Sequence, residues 1–450
     1  MPPALPDLRL RRRFEGIVSA VSKFPDRTFP QALPTSADLE AVYRFLSNER
    51  VEWQELLAPE VAQTVARVAQ AGQAYAIHDS SNMMMTGEAA RGDVGSLTGY
   101  GASFLAHFCL AVSMGPTPGP LGLLGIEALF RPDGPRRHKP DWEDVYDRAD
   151  KESLRWPRMV ERVETLLRGQ GSLVHLMDSE GDDYALLALL LGKSCRFVIR
   201  GGNRALADGG RLEAALLTVE AVACRQVSVG ARSKAACHGR KTKHQPRAPR
   251  EAKLQISARR VALRRPDHVG KNVSKALELN VVHVREIEAP EGVEPIDWKL
   301  YSSEPIDSPE QALAIVDHYR VRWMIEEYFK ALKTGCSFEK RQVESKRALL
   351  NTLALYAPIA CRLLTLRHES RAEDAATSLT ARQIRVLRAV RPKPPLPEQP
   401  TARELMLAVA GLGGHIKNNG EPGWIVLGRG FLDLLAFEAG WVARETCDQS

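Results

Sequence analysis

Apolar and polar positions run along this chain in two rhythms. Over residues 1–70 the spacing is helical. LRLRRRFEGIVSAVSKF is basic and amphipathic, and SADLEAVYRFLSNERVEWQELL sets Leu39, Val42, Tyr43, Leu46 and Trp53 on one face, with Ser36 as the expected cap. AYAIHD (74–79) predicts a short buried strand ending at Asp79, with Ser80-Ser81-Asn82 as a polar turn. FLAHFCLAVSM (104–114) and PLGLLGIEALF (120–130), parted by GPTPG, predict a hairpin or adjacent strands. Helical spacing returns in KESLRWPRMVERVETLLRG, where Met159, Val160, Val163, Leu166 and Leu167 share a side. LVHLMD (173–178) is a second strand ending in an acid, Asp178; a helix within SEGDDYALLALLLG and a strand in RFVIRGGNR (196–204) follow.

Residues 205–300 hold short alternating segments (AVACRQVSV, KLQISARRVAL, LNVVHVREIEA) with Gly and Pro between them, the pattern of a β-rich subdomain. IDWKLYSSEPI adds a strand carrying Trp298. Residues 308–335, SPEQALAIVDHYRVRWMIEEYFKALKTG, predict one long helix. Ser308 caps it, Pro309 occupies the first turn, Gln311 completes a capping box and Gly335 stops it. The chain continues with a mostly apolar helix over 345–368 that Pro358 is expected to kink, and a stiff Pro-rich linker at 391–400. A small helical unit broken at 418–420 closes it.

Composition narrows the class only a little. The 450 residues suffice for two or three domains; 44% hydrophobic and 26% charged content are those of a globular protein. No run of about 18 apolar residues suggests a membrane span, and no apolar stretch follows the basic N-terminus as in a secretory signal. Seven cysteines without a C-x-x-C pair argue against a zinc site or disulfide framework and fit a reducing cytoplasm. The net charge of +7 permits a polyanionic partner. Residues 225–275 concentrate that charge, with fifteen Lys or Arg against Glu251 and Asp267. Such a block is either a solvated, mobile segment or one that follows a phosphate backbone.

Candidate chemistry centres on 308–335. At about 100° per residue, Tyr319, Arg322, Glu326 and Lys333 project at roughly 0°, 300°, 340° and 320°, and Lys330 at roughly 20°. They make one polar stripe, opposite Val321, Met324, Ile325, Tyr328 and Leu332. One carboxylate among three cations and a phenol suits a metal ligand beside phosphate-holding groups; it also suits a solvated face with i,i+4 pairs. Taken alone, an acid such as Asp79 is more often a turn former or helix cap, and a tryptophan such as Trp298 more often a core residue.

The spacing Y-x2-R-x3-E-x6-K resembles the Y-R-E-K signature of bacterial insertion-sequence DDE transposases, the cut-and-paste group that works through hairpin ends. The resemblance extends from about residue 36 to 435. AVYRFLSN, the D-x-E-x-D of Asp178, Glu180 and Asp182 followed by Tyr184, the strand ending at Arg200, and GEPGW (420–424) are similar to stretches of that family. The first acidic motif departs from it, since His78 precedes Asp79 and Ser-Ser follows.

The resemblance implies an α/β fold: a ribonuclease-H-like core (71–204 and 301–370), a β-rich insertion subdomain (205–300), a helical DNA-end-binding region (1–70) and a helical C-terminal region (371–450) that dimerises. It implies that Asp79, Asp178 and Glu326 are catalytic and bind two ions of Mg²⁺ or Mn²⁺. Arg200, Tyr319, Arg322, Lys330 and Lys333 would hold DNA phosphates, and Trp298 would stack on a flipped base. The implied partners are double-stranded terminal inverted repeats and target DNA, bound by a homodimer in the bacterial cytoplasm at the nucleoid, with no membrane. Measured against the family, the chain begins one helix late. A non-catalytic inhibitor of transposition, a decayed copy, and a ribonuclease-H-like nuclease outside mobile elements are the competing readings.

Overall fold

The computed structural model describes the chain outside residues 1–4, 6, 24–28, 30–34, 87–92, 132–150, 232–235, 239–240, 245–246, 372–376, 391–394, 417–419 and 448–450. Parts of the expected Pro-rich linker, of the basic block and of the 418–420 break therefore lie outside the described residues. Two compact units emerge. The first is Met1–Lys139, Glu161–Ser172 and Trp323–Ser450; the second is Pro140–Val160 and Leu173–Arg322.

The first unit starts with α1 (Leu8–Lys23), α2 (Ser36–Leu46) and α3 (Trp53–Ala71). The cap of α2 is Thr35 and not Ser36: the Thr35 hydroxyl accepts from Asp38 N–H at 3.1 Å. β1 (Gln73–Met84) pairs antiparallel with β2 (Ser103–Ser113), and β2 with β3 (Pro120–Leu129). The polar triplet after Asp79 is thus no turn. Paired residues such as Ser80↔His107 and Asn82↔Leu105 carry the ladder five residues past Asp79, because cross-strand partners override local turn propensity. α4 (Arg155–Leu167) spans both units.

In the second unit, β4 (Ser172–Met177) runs parallel to β5 (Arg196–Gly201), with α5 (Tyr184–Gly192) between them in the chain. α6 (Leu212–Leu217), β6 (Ala223–Val229) and the small hairpin of β7 (Ala236–His238) and β8 (Lys241–His244) follow. β9 (Arg250–Arg264), β10 (Ala276–Ile287) and β11 (Asp297–Ser302) complete a mixed sheet in the order β4-β5-β11-β10-β9-β6. β11 hydrogen-bonds directly to β5, with Leu300 opposite Arg200, so the strands from 205–300 extend the sheet that begins with β4 and β5. Trp156, Tyr184, Leu187, Phe197, Leu263 and Tyr301 lie in its core.

The predicted single helix over 308–335 is instead three pieces: α7 (Pro309–Val321), α8 (Met324–Lys330) and a π-helical turn, Ala331–Gly335. Ser308 caps α7 as expected, accepting from Gln311 N–H at 3.3 Å. The Gln311 side chain reaches one residue further back than a capping box requires, accepting from Asp307 N–H at 2.6 Å. Gly335 does not stop the helix through a left-handed backbone; Ser337 takes that conformation, at φ 48°. Gly335 serves packing, since its carbonyl leaves no room for a Cβ at Gly428. Gly428 lies on α12 (Trp424–Cys447), the last of four helices that include α9 (Lys346–Glu369), α10 (Ala381–Val390) and α11 (Ala402–Leu412). α9 runs without interruption through Pro358. By length and composition it could cross a membrane, but 78% of its most apolar window is buried within the protein, as in a core helix.

Candidate active site

In the second unit five of the predicted residues converge from separate elements. Asp178 follows the last residue of β4 and caps a one-turn helix, where its Oδ1 accepts from Glu180 N–H at 2.9 Å. The other acids of the D-x-E-x-D run serve structure. Glu180 pairs with Arg155 at 2.8 Å, and Asp182 accepts from Gly202 N–H and Arg204 Nε, both at 2.7 Å. Among the described residues, Asp178 is the acid of the three without an arginine partner.

Arg200 stands exposed near the end of β5. Two residues from its β11 partner Leu300, Trp298 is half-buried, its ring edge-on to Tyr319 of α7 at 5.5 Å and 65°. Tyr319 is buried, and the Arg322 guanidinium lies 5.9 Å from its ring centre. Burial raises the Tyr319 phenol above its ordinary 10.0; Arg322 and Arg200 pull it down and Asp178 pushes it up. That phenol therefore sits within electrostatic reach of both cations and the carboxylate. It stays protonated at neutral pH and can donate to an anion.

The first unit holds the other four. Asp79 lies in mid-strand, half-buried, with its Oδ1 accepting from Ser80 N–H at 2.7 Å. Ser80 Oγ is 2.9 Å from Nδ1 of buried His107. Opposite Asp79 in register is Phe108, whose ring packs edge-on against Tyr328 and Phe329 of α8 at 5.5 and 5.4 Å. This aromatic contact seats α8, and with it half-buried Glu326, on the strand pair that carries Asp79. Lys330 is exposed and pairs with Glu327 at 2.8 Å. Lys333, displaced by the π turn from an α-helical position, donates to the Asn82 carbonyl at 2.5 Å and pairs with Glu339 at 3.3 Å.

Glu339 had no signal in the sequence: it lies in a one-turn helix (Phe338–Lys340) outside any periodic segment. His107 was equally silent, one polar residue inside an apolar strand. Asp79 and Glu326 in the first unit and Asp178 in the second each offer hard carboxylate oxygens, and Asp79 and Asp178 are each oriented by a backbone N–H. This fits Mg²⁺ or Mn²⁺ and does not fit a thiophilic metal.

Residues 4–51 match the family described as transposase DNA-binding, and residues 161–361 match the family described as transposase DDE domain. Asp178, Arg200, Trp298, Tyr319, Arg322, Glu326, Lys330 and Lys333 fall within the second match; Asp79 lies upstream of it. The DDE domain implies a ribonuclease-H-like core and dependence on a divalent metal. The chain thus carries a transposase DNA-binding segment and a DDE transposase domain, and it is an enzyme of the polynucleotidyl transferase and endonuclease class.

Proposed function

We propose that this enzyme is a bacterial insertion-sequence transposase of the Y-R-E-K group, which excises and inserts its element through hairpin ends. The observation that supports this most is the meeting of Asp178, Arg200, Trp298, Tyr319 and Arg322 from four separate elements of one unit. A plain hydrolase has need of the acid and the cations; an aromatic beside them suits a reaction that must displace a base.

In this reading Asp79, Asp178 and Glu326 hold two divalent ions, Mg²⁺ or Mn²⁺. When bound, such ions activate water or a 3′-hydroxyl for attack on phosphorus and stabilise the leaving oxygen. Arg200, Arg322, Lys330 and Lys333 neutralise and orient the phosphates flanking the scissile bond, and the neutral Tyr319 phenol donates to one of them. Trp298 supplies a stacking face for a flipped base, which offsets the few kcal/mol that unstacking costs. The order is nick, hairpin closure on the transposon end, hairpin opening and strand transfer. The enzyme acts as a homodimer on terminal inverted repeats, in the bacterial cytoplasm at the nucleoid.

The test is excision of DNA carrying the inverted repeats that flank this reading frame, with Mg²⁺. Wild type should give hairpin-ended fragments. Glu326→Gln and Asp79→Ala should bind ends and not cut them, in a gel assay that follows binding and cleavage together. Mg²⁺-dependent nicking retained by Glu326→Gln would sink the assignment of Glu326. End binding without cleavage by wild type would make the chain an inhibitor or decayed copy.

A further inference from the structure

One residue from a distant part of the chain closes the C-terminal end of β1, on the side that faces away from β2. Met85 N–H donates to the Ala102 carbonyl at 3.0 Å, so the N–H groups of Met84 and Thr86 point the other way. Met84 N–H donates to Glu339 Oε1 at 2.9 Å, and Thr86 N–H to the Glu339 main-chain carbonyl at 2.8 Å. The Thr86 hydroxyl donates to the same carbonyl at 3.1 Å. Lys333 completes the clasp, donating to the Asn82 carbonyl at 2.5 Å and lying 3.3 Å from the Glu339 carboxylate. Gln342 Nε2 adds a bond to the Thr86 carbonyl at 3.0 Å. Glu339 therefore stands in for a neighbouring strand, with side chain and backbone each taking one edge N–H. A carboxylate makes the stronger of such bonds, because the acceptor is charged.

All these groups belong to the first unit, and they join its two acid-bearing elements. Asp79 precedes Met84 on β1, and Glu326 precedes Lys333 on α8 and the π turn that follows it. We propose that Glu339 is a positioning residue of the reaction. Without itself touching metal or DNA, it locks β1 to the Lys333 turn and so fixes the separation of Asp79 and Glu326. The inference rests on the reading of those two acids as metal ligands. A displacement of about 1 Å in such a pair costs on the order of 100-fold in rate.

The experiment compares full-length wild type, Glu339→Ala, Glu339→Asp, Glu339→Gln and Asp79→Asn in end cleavage and end binding. Mn²⁺ binding is measured calorimetrically on the same proteins without DNA. Glu339→Ala should lose roughly 10- to 100-fold in cleavage and about tenfold in Mn²⁺ affinity, with the affinity for ends held within about twofold. Glu339→Asp keeps the charge but is a methylene short of Met84 N–H; it carries the same expectation if the alanine variant does not fold. Glu339→Gln retains an acceptor for Met84 and should restore most of both properties. Asp79→Asn should abolish cleavage; if it cuts normally, the reading of Asp79 fails whatever Glu339 does. If Asp79→Asn is dead while Glu339→Ala or Glu339→Asp matches wild type in cleavage and Mn²⁺ affinity, the positioning role is overturned. It is overturned equally if Glu339→Gln is no better than Glu339→Ala.

Discussion

Trp298 has two neighbours that bear on its chemistry: Tyr319, which meets its ring edge-on, and Asp297, which anchors the strand beside it by accepting from His283 Nε2 at 2.8 Å and Lys299 Nζ at 3.0 Å. The backbone at Trp298 is therefore fixed while the indole stays half-buried, as a stacking face requires. Replacing Trp298 by Ala should spare the first nick, whose chemistry uses acids and cations, and slow hairpin closure by the worth of one stacked base. At about 1–3 kcal/mol, that is roughly 5- to 150-fold in a time course that resolves nicked from hairpin product. Hairpins forming at the wild-type rate would leave Trp298 with a packing role only. The spacing of Tyr319, Arg322, Glu326 and Lys333 was legible in the sequence. What each cation touches was not: Lys333, with one of its three N–H donors to spare, directs its ammonium to Asn82 and Glu339, partners about 250 and 6 positions away that no local pattern announces.

The strands were the elements most readily legible. β6, β9, β10 and β11 fall where alternation puts them, since each has an inward and an outward face. The misreadings have a common cause. β1 outruns its apolar stretch because β2 pairs with its polar end, and 308–335 splits because helical periodicity cannot tell a regular helix from one with a break and a π turn. One long-range pair within this sheet carries a measurable consequence. The side chain of Glu286 on β10, almost wholly buried, accepts from Arg250 Nε at 2.9 Å and Nη2 at 2.7 Å, and from Ile296 N–H at 2.9 Å. The Arg250 guanidinium holds its carboxyl below the ordinary 4.5, against the opposing pull of burial. A carboxyl depressed in the folded state contributes stability above its unfolded pKa and loses it as pH falls through the folded value. Glu286→Gln should therefore be less stable than wild type at pH 7 by about 3 kcal/mol, and the gap should narrow below about pH 4.5 in denaturant titrations. A gap that stays constant into strong acid would mean that the pair is not charged in the native sheet.

For the molecule as a whole, the governing quantity is charge set against a polyanion. The excess of +7 is small, so binding to ends must come from where cations are grouped. The segment 4–51, matched to the transposase DNA-binding family, offers one such group. Arg9 and Arg13 on α1 are exposed and line a groove with Arg44 of α2, itself paired with Glu40, over the small residues Ala37 and Ala41. Phe14 and Phe45, with ring centres 6.2 Å apart, hold the two helices together beneath it. Arg11 is different, since its Nε donates to the Leu5 carbonyl at 3.2 Å and serves the local fold. If α1 lies along the DNA backbone, the logarithm of end affinity should fall linearly with the logarithm of salt concentration. Arg9→Gln and Arg13→Gln should each reduce the slope by about 1, while Arg11→Gln weakens binding by loosening the helix without the same change of slope. The measurement is a fluorescence-anisotropy titration of end DNA across salt concentrations, repeated with an unrelated duplex. Equal slope changes on both duplexes would make these arginines phosphate contacts, with end recognition coming from other residues. An unchanged slope on both would remove α1 from the DNA path and leave the groove as a surface of the helical segment alone.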